Sequence, residues 1–208
     1  MANLHDIVQW CNQTLKVSEF KDYAPNGLQI EGTPDVNKIV CAVTASEDAI
    51  NAAIAQQADA LLVHHGYFWK GEAYPITGMR GNRIKKLIQN NISLIAYHLP
   101  LDSHPTLGNN AAIADLIGLQ KLEALDPFEK HPIGNIGYLE SPLSPEQFKT
   151  NLQAIFDFNV IHLPSEKTQI QKVGFCTGGA QDFINKGICP KSHWEVHGAD
   201  YSSHGNMG

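Results

Sequence analysis

Residues 38–65 read KIVCAVTASEDAINAAIAQQADALLVHH, and residues 92–98 read ISLIAYH. These two stretches decide the fold. Residues 38–44 form a short run rich in β-branched side chains, which predicts a buried strand. Ser46 follows as an N-cap, with Glu47 and Asp48 at the positive end of a helix carrying Ile50, Ala53 and Ile54. Residues 60–63 predict a second strand that leads straight into His64 and His65. After a loop punctuated by Gly66, Gly71, Pro75 and Gly78, residues 82–90 predict a helix and residues 92–97 a strand that leads into His98. Strand, helix, strand, helix, strand at this spacing predicts right-handed βαβ units around a parallel sheet.

Working outward, Leu4, Ile7, Val8, Cys11 and Leu15 make a helical stripe behind Asn3 as N-cap. Pro25, Asn26 and Gly27 read as a loop, and the amides of Asn26 and Gln29 suit either an ordinary Asn-Gly turn or the lining of a pocket, the turn being the default. Downstream, a helix is expected from about residue 109 to 117. The texture then changes. Strands are predicted at 134–139, 158–163 and 172–176, with a helix between the first two opened by Ser144 and Pro145 and a further helix beginning at 181–185. The expected fold class is therefore α/β: a parallel-sheet βαβ domain over residues 1–120, then a smaller α+β domain over 121–186. Residues 187–208, ending ICPKSHWEVHGADYSSHGNMG, show neither strand nor helix periodicity and are expected to be an aberrant or disordered tail.

Composition bounds the function. With 208 residues, 43% hydrophobic and 17% charged, the chain can build a sizeable core. A formal charge of −6 and no dense Lys/Arg run argue against nucleic acid as the main partner. The local group Arg80, Arg83, Lys85 and Lys86 reads as the solvated face of a helix. The first residues lack the long apolar stretch of a signal peptide, and no apolar run reaches the roughly 18 residues that cross a bilayer. Cys11, Cys41, Cys176 and Cys189 are scattered, without a C-x-x-C pair, as expected of free thiols in a reducing cytoplasm. A cytoplasmic protein with no membrane partner is expected.

The chemistry sits at the strand ends. In an open parallel sheet, ligands collect outside the carboxyl ends of the strands. His64 and His65 follow one predicted strand, His98 follows the next, and Asp102 lies four residues further on. Three imidazoles and a carboxylate on one rim suit zinc, iron(II), manganese or nickel. Consecutive side chains on an extended segment point to opposite faces, so His64 and His65 do not easily chelate one ion. Giving each its own metal, with Asp102 between, predicts two divalent ions close enough to activate one water. A single strand-end histidine is more often a hydrogen-bonded loop residue; the pair, the third histidine and the carboxylate together make the metal reading.

Nearby residues offer further roles. Tyr67, Phe68 and Trp69 either anchor their loop on the protein body or stack against a planar ligand, with anchoring the default. His104 and Glu72 are candidates for moving protons, although no catalytic residue is assigned. Gly178 and Gly179 between a predicted strand and helix resemble an anion-binding turn only distantly.

The strings YAPNGLQIEG, VTAS, VHHGYFWKGE, YHLPLDSHPTLGNN and CTGGAQDFI, in order from about residue 3 to about residue 186, resemble the bacterial GTP cyclohydrolase 1 type 2 homologue family, also called the NIF-three-like family. The resemblance implies a dinuclear metal site at the interface of two domains and a toroidal homohexamer. It also implies that His64, His65, His98 and Asp102 are the metal ligands. Members continue past the position of Lys186 and end with an HHATE-like segment that supplies another His and a Glu to the metals. Here that segment is absent, so a truncated or frameshifted product is expected, with His193, His197 and His204 as poorly placed substitutes. Two functions follow. One is a metal-dependent, GTP cyclohydrolase-like hydrolase acting on a nucleotide or pterin-like small molecule. The alternative is a non-enzymatic metal-binding hexameric scaffold or metal-handling protein.

Overall fold

A computed structural model describes residues 1–163, 166–180 and 194–197. The chain divides into two compact units, Met1–Leu101 and Asp102–Gly208. The first unit opens with β1 (Ala2–Asn3) and α1 (Leu4–Thr14), where the Asn3 side chain accepts the N–H groups of His5 and Asp6. A single 3-10 turn (Val17–Glu19) leads to β2 (Gly27–Ile30) and β3 (Asp35–Val36), the latter pairing antiparallel with β1. Then come β4 (Ile39–Thr44), α2 (Glu47–Ala55), β5 (Ala60–His65), α3 (Gly78–Gln89), β6 (Ser93–Ala96) and the short α4 (Leu99–Asp102), whose last residue opens the second unit. Ser46 caps α2 as expected, accepting Ala49 N–H at 3.2 Å.

The sheet of this unit has the order β2-β6-β5-β4. β4, β5 and β6 are mutually parallel, as their apolar runs predicted. Alternation along the strands serves two faces. Leu61, Val63, Leu94 and Ala96 pack with Ile50 and Ala53 of α2 and Ile84 and Leu87 of α3. Ala60, Ile95 and Tyr97 pack on the other face with Leu4, Ile7 and Val8 of α1. A sheet covered on both faces favours apolar residues on both sides of each strand, which explains runs such as ALLV at 60–63 and LIA at 94–96. Asp59 ties the far end of the sheet: its Oδ2 accepts Asn37 N–H at 2.7 Å and Lys38 N–H at 2.9 Å, and its carbonyl accepts Ser93 N–H.

Two expectations change here. The sheet is mixed, because Gly27–Ile30 is strand β2, antiparallel to β6, where a turn was expected. An antiparallel edge strand added to a parallel sheet is a common arrangement, and its polar Gln29 and leading Asn-Gly disguised it. Also, the division falls after Leu101, earlier than the change of texture near residue 121.

The second unit contains α5 (Asn109–Ile117), β7 (Gln120–Ala124), β8 (Asn135–Leu143), α6 (Pro145–Phe156), β9 (Ile170–Cys176) and β10 (Trp194–His197). Its sheet order is β10-β9-β8-β7, with β7, β8 and β9 antiparallel to their neighbours and β10 parallel to β9. α5 belongs to this unit because Ala114, Ile113 and Ile117 pack with Phe148, Leu152, Ile170 and Val173. A reciprocal capping box of Ser144 and Gln147, with Pro145 in the first turn, starts α6.

Residues 158–163, expected as a strand, have no regular structure; Ile161 and Leu163 are 87% and 81% exposed. β-Branched composition favours a strand only where a sheet edge is there to pair with it. In the segment expected to be unstructured, Trp194–His197 forms β10 through backbone pairing with β9, which requires no side-chain periodicity. The helix expected at 181–185, His193 and His204 lie outside the described residues. Among the described residues no helix is long and apolar enough to cross a membrane.

Candidate metal centre

The end of β5 and the residue just past Tyr97 carry three imidazoles. The register of β5 with β6 runs only to Val63↔Ala96, whereas His65 still pairs with Thr44 of β4. With one neighbour gone, the strand end need not keep the alternation of an extended sheet. Both rings therefore come together: His64 and His65 have centroids 4.5 Å apart, and His98 lies 5.0 Å from His64 and 5.7 Å from His65. Ligand atoms of all three lie within 4.8 Å of one another.

Neighbours fix which nitrogen of two of these rings holds the proton. His64 Nδ1 lies 2.9 Å from the Tyr97 carbonyl oxygen, which can only accept. Nδ1 is therefore the protonated nitrogen of the neutral ring, and the lone pair is on Nε2. His98 Nδ1 lies 3.0 and 3.2 Å from the two oxygens of Asp22, with the same consequence. His65 Nδ1 sits 3.3 Å from Thr44 Oγ1, a hydroxyl able to donate or accept. A metal-ligating histidine characteristically donates its second ring N–H to a carbonyl or carboxylate. His64 and His98 both do so, and the residues present fit a divalent metal.

Asp22 and Asn26 are the residues that sequence reasoning missed. The Asp22 side chain is 4% exposed. Besides His98 it accepts N–H from Leu99 at 3.0 Å, from Tyr23 at 2.7 Å and from Ala24 at 3.2 Å, together with the Asn26 amide at 2.9 Å. Burial pushes its carboxyl up, but the hydrogen bonds from His98, Asn26 and Leu99 outweigh it and bring it down to about 2. Asn26 Oδ1 accepts His98 N–H at 2.7 Å. Gln29 accepts Tyr67 N–H at 2.7 Å and donates to the Pro25 carbonyl at 2.8 Å. The two amides of NGLQ thus brace the histidine-bearing segments instead of marking a plain turn. Gly66 is part of the same fit, because a Cβ there would meet Gln29 Oε1 at 2.2 Å and Ala96 Cβ at 2.8 Å.

The aromatic run divides its duties. Tyr67 is buried and donates its hydroxyl to the Ala45 carbonyl at 2.6 Å, anchoring the loop. Trp69 stands beside the histidines, 5.0 Å from His98 edge-on and 5.8 Å from His65, and Tyr23 lies 5.1 Å from His98 and 5.8 Å from Trp69. The Trp69 indole N–H is held by the Gly66 carbonyl.

Asp102 ends α4, one helical turn past His98. It is buried, and its Oδ1 accepts from Asn109 Nδ2 at 2.8 Å and Thr177 Oγ1 at 3.1 Å. Buried Asn110 links the same pieces, donating to the Asp102 carbonyl and accepting Thr177 N–H. The conspicuous CTGG segment therefore serves Asp102. His104 Nδ1 accepts N–H from Thr106 and Leu107, so Nε2 bears the proton of its neutral ring. Glu72 is a loop brace: its Oε2 accepts Trp69 N–H and pairs with Arg80 at 2.7 Å.

The family model described as Duf34/NIF3 (NGG1p interacting factor 3) matches residues 2–191. A relative in Haemophilus influenzae named GTP cyclohydrolase 1 type 2 homolog is 45% identical over 188 residues, which are 89% of this chain and 73% of that protein. A relative of the same name in Vibrio cholerae is 48% identical over 177 residues, 83% of this chain and 69% of that protein. Among solved structures, that of a protein titled ybgI, of unknown function, matches with a TM-score of 0.88 at 38% identity, covering 95% of this chain and 78% of that one. The structure of TTHA1606 from Thermus thermophilus matches with a TM-score of 0.84 at 28% identity, covering 97% of this chain and 80% of that one.

Proposed function

The chain belongs to the Duf34/NIF3 family, and from that premise we propose that it is a metal-dependent hydrolase of a nucleotide or pterin-like substrate. In this reading His64, His65 and His98, joined by Asp102, hold two divalent ions. The observation that carries it is the three-histidine group, in which His64 and His98 present Nε2 as the lone-pair nitrogen. Asp102 is included in this reading because it follows His98 by four residues and because Asn109 and Thr177 hold its carboxylate, while the grouped ligand atoms are those of the three histidines alone. Bound there, divalent ions supply Lewis acidity and lower the pKa of water towards neutrality.

The chain's own residues supply the rest. Trp69 and Tyr23 flank the histidines with aromatic surface suited to a flat heterocycle. His104 offers its Nε2 N–H as a hydrogen-bond donor to a substrate oxygen, whereas Glu72 is held by Arg80 and is given no catalytic role. The homohexamer implied by the sequence resemblance is part of the same proposal, and light scattering on the native protein tests it. The functional test is protein stripped of metal, reconstituted with zinc, manganese, iron(II) or nickel, and assayed on GTP and on phosphoesters. Turnover that appears only on reconstitution supports the reading; turnover indifferent to metal overturns it.

A further inference from the structure

Asp22 makes more contacts with the His98 segment than a loop residue needs. It accepts the His98 ring N–H on both oxygens and also the N–H of Leu99, while Asn26, itself bonded to Asp22, accepts the N–H of His98. Ring, ring tautomer and backbone of one histidine are thus all held by a five-residue loop 76 positions earlier in the chain. Tyr23 and Trp69 also lie against the ring in T-shaped contacts, with centroids 5.1 and 5.0 Å away. A carboxylate that accepts from Nδ1 fixes the neutral tautomer, raises the basicity of Nε2 and prevents ring flipping.

We propose that Asp22 is a positioning residue for metal capture, acting through His98: its carboxylate keeps the proton on Nδ1 and holds the ring so that Nε2 is the ligand. The inference rests on the metal reading above and adds a residue outside its ligand set. It makes the loop at residues 22–26 part of the metal site without contact to the metal.

The test is Asp22→Asn in the full chain, with zinc as the probe. Affinity is read by competition against a chromophoric chelator, and the His98 tautomer by ¹⁵N chemical shifts of histidine-labelled apoprotein. The expected results are Nδ1–H at His98 in the wild type and a loss of zinc affinity of about 10- to 100-fold in the variant. Asp59→Asn serves as a comparison, because Asp59 also accepts two backbone N–H groups but at the opposite end of the sheet. It should lower stability and leave zinc affinity unchanged. Equal zinc binding by Asp22→Asn and wild type overturns the inference, as does an equal loss in Asp59→Asn. If Asp22→Asn fails to fold, the wild-type spectrum still decides: a His98 protonated at Nε2 alone overturns the proposal. A wild type that binds no zinc while showing Nδ1–H at His98 overturns the metal reading instead.

Discussion

At the scale of single residues, carboxylates do much of the fastening in the first unit, and Asp59 shows how. Its carboxyl lies below the ordinary range because the N–H groups of Asn37 and Lys38 bond the charged form, with help from the Lys38 ammonium. A carboxyl whose folded pKa is depressed contributes stability above its unfolded pKa of about 3.9, and that contribution is lost as pH falls through the folded value. Asp59→Asn should therefore lower stability by about 0.5–1 kcal/mol at pH 7, solvent screening included. The gap to wild type should close as pH drops below about 4. Urea midpoints measured across that range check both parts, and a gap that widens in acid would contradict the assignment. The same scale shows what the sequence concealed. His64, His65 and His98 were legible because each directly follows an apolar run. Asp22 was not, because a carboxylate in a polar loop carries no mark of the histidine it will meet 76 residues later.

At the scale of elements, the decisive piece is the seam between β2 and the turn after β5. Gln29 extends from β2 to hold Tyr67 N–H, and the missing side chain at Gly66 leaves room for the Gln29 amide. Gly66→Ala would press a methyl against Ala96 Cβ and displace the Gln29 amide from two hydrogen bonds. It should destabilise the protein by about 1–3 kcal/mol, read as a lower urea midpoint with an unchanged slope; no change would mean the seam is looser than described. The parallel strands and their helices were legible from local pattern, since runs of apolar residues, caps and spacing all agree. β2 was not legible because Asn-Gly and a glutamine are turn chemistry by local rules, and only its pairing with β6 makes it a strand. The strand expected at 158–163 failed for the converse reason: suitable residues that pair with no strand among the described residues.

At the scale of the whole molecule, each unit has its own core, and the histidine cluster belongs entirely to the first. Metal binding should therefore stabilise the chain unevenly. Zinc at 100 times its dissociation constant adds about 2.7 kcal/mol to the state that binds it. Hydrogen exchange followed with and without zinc should show the largest slowing at residues 22–29, 63–69 and 97–102, and much less in α6. Slowing spread evenly over both units, or strongest in α6, would contradict a site anchored on β5 and the His98 segment. The cores themselves were legible from hydrophobic periodicity, but the assignment of α5 to the second was not. An amphipathic helix announces that it has a buried face, not which sheet will bury it.

The long reach from Asp22 to His98 bears on how the protein is made. Contacts so distant in sequence form slowly, because the loop between them must first close. During synthesis, the first 65 residues already contain His64 and His65, but not the Tyr97 carbonyl that holds one of them or the β6 edge on which β2 docks. The site is assembled only after residues 93–99 have emerged and the early loop has folded back over them. A nascent chain of that length thus carries only two of the three imidazoles of the cluster, one lacking its brace, and is poorly equipped to capture a metal before the sheet is complete.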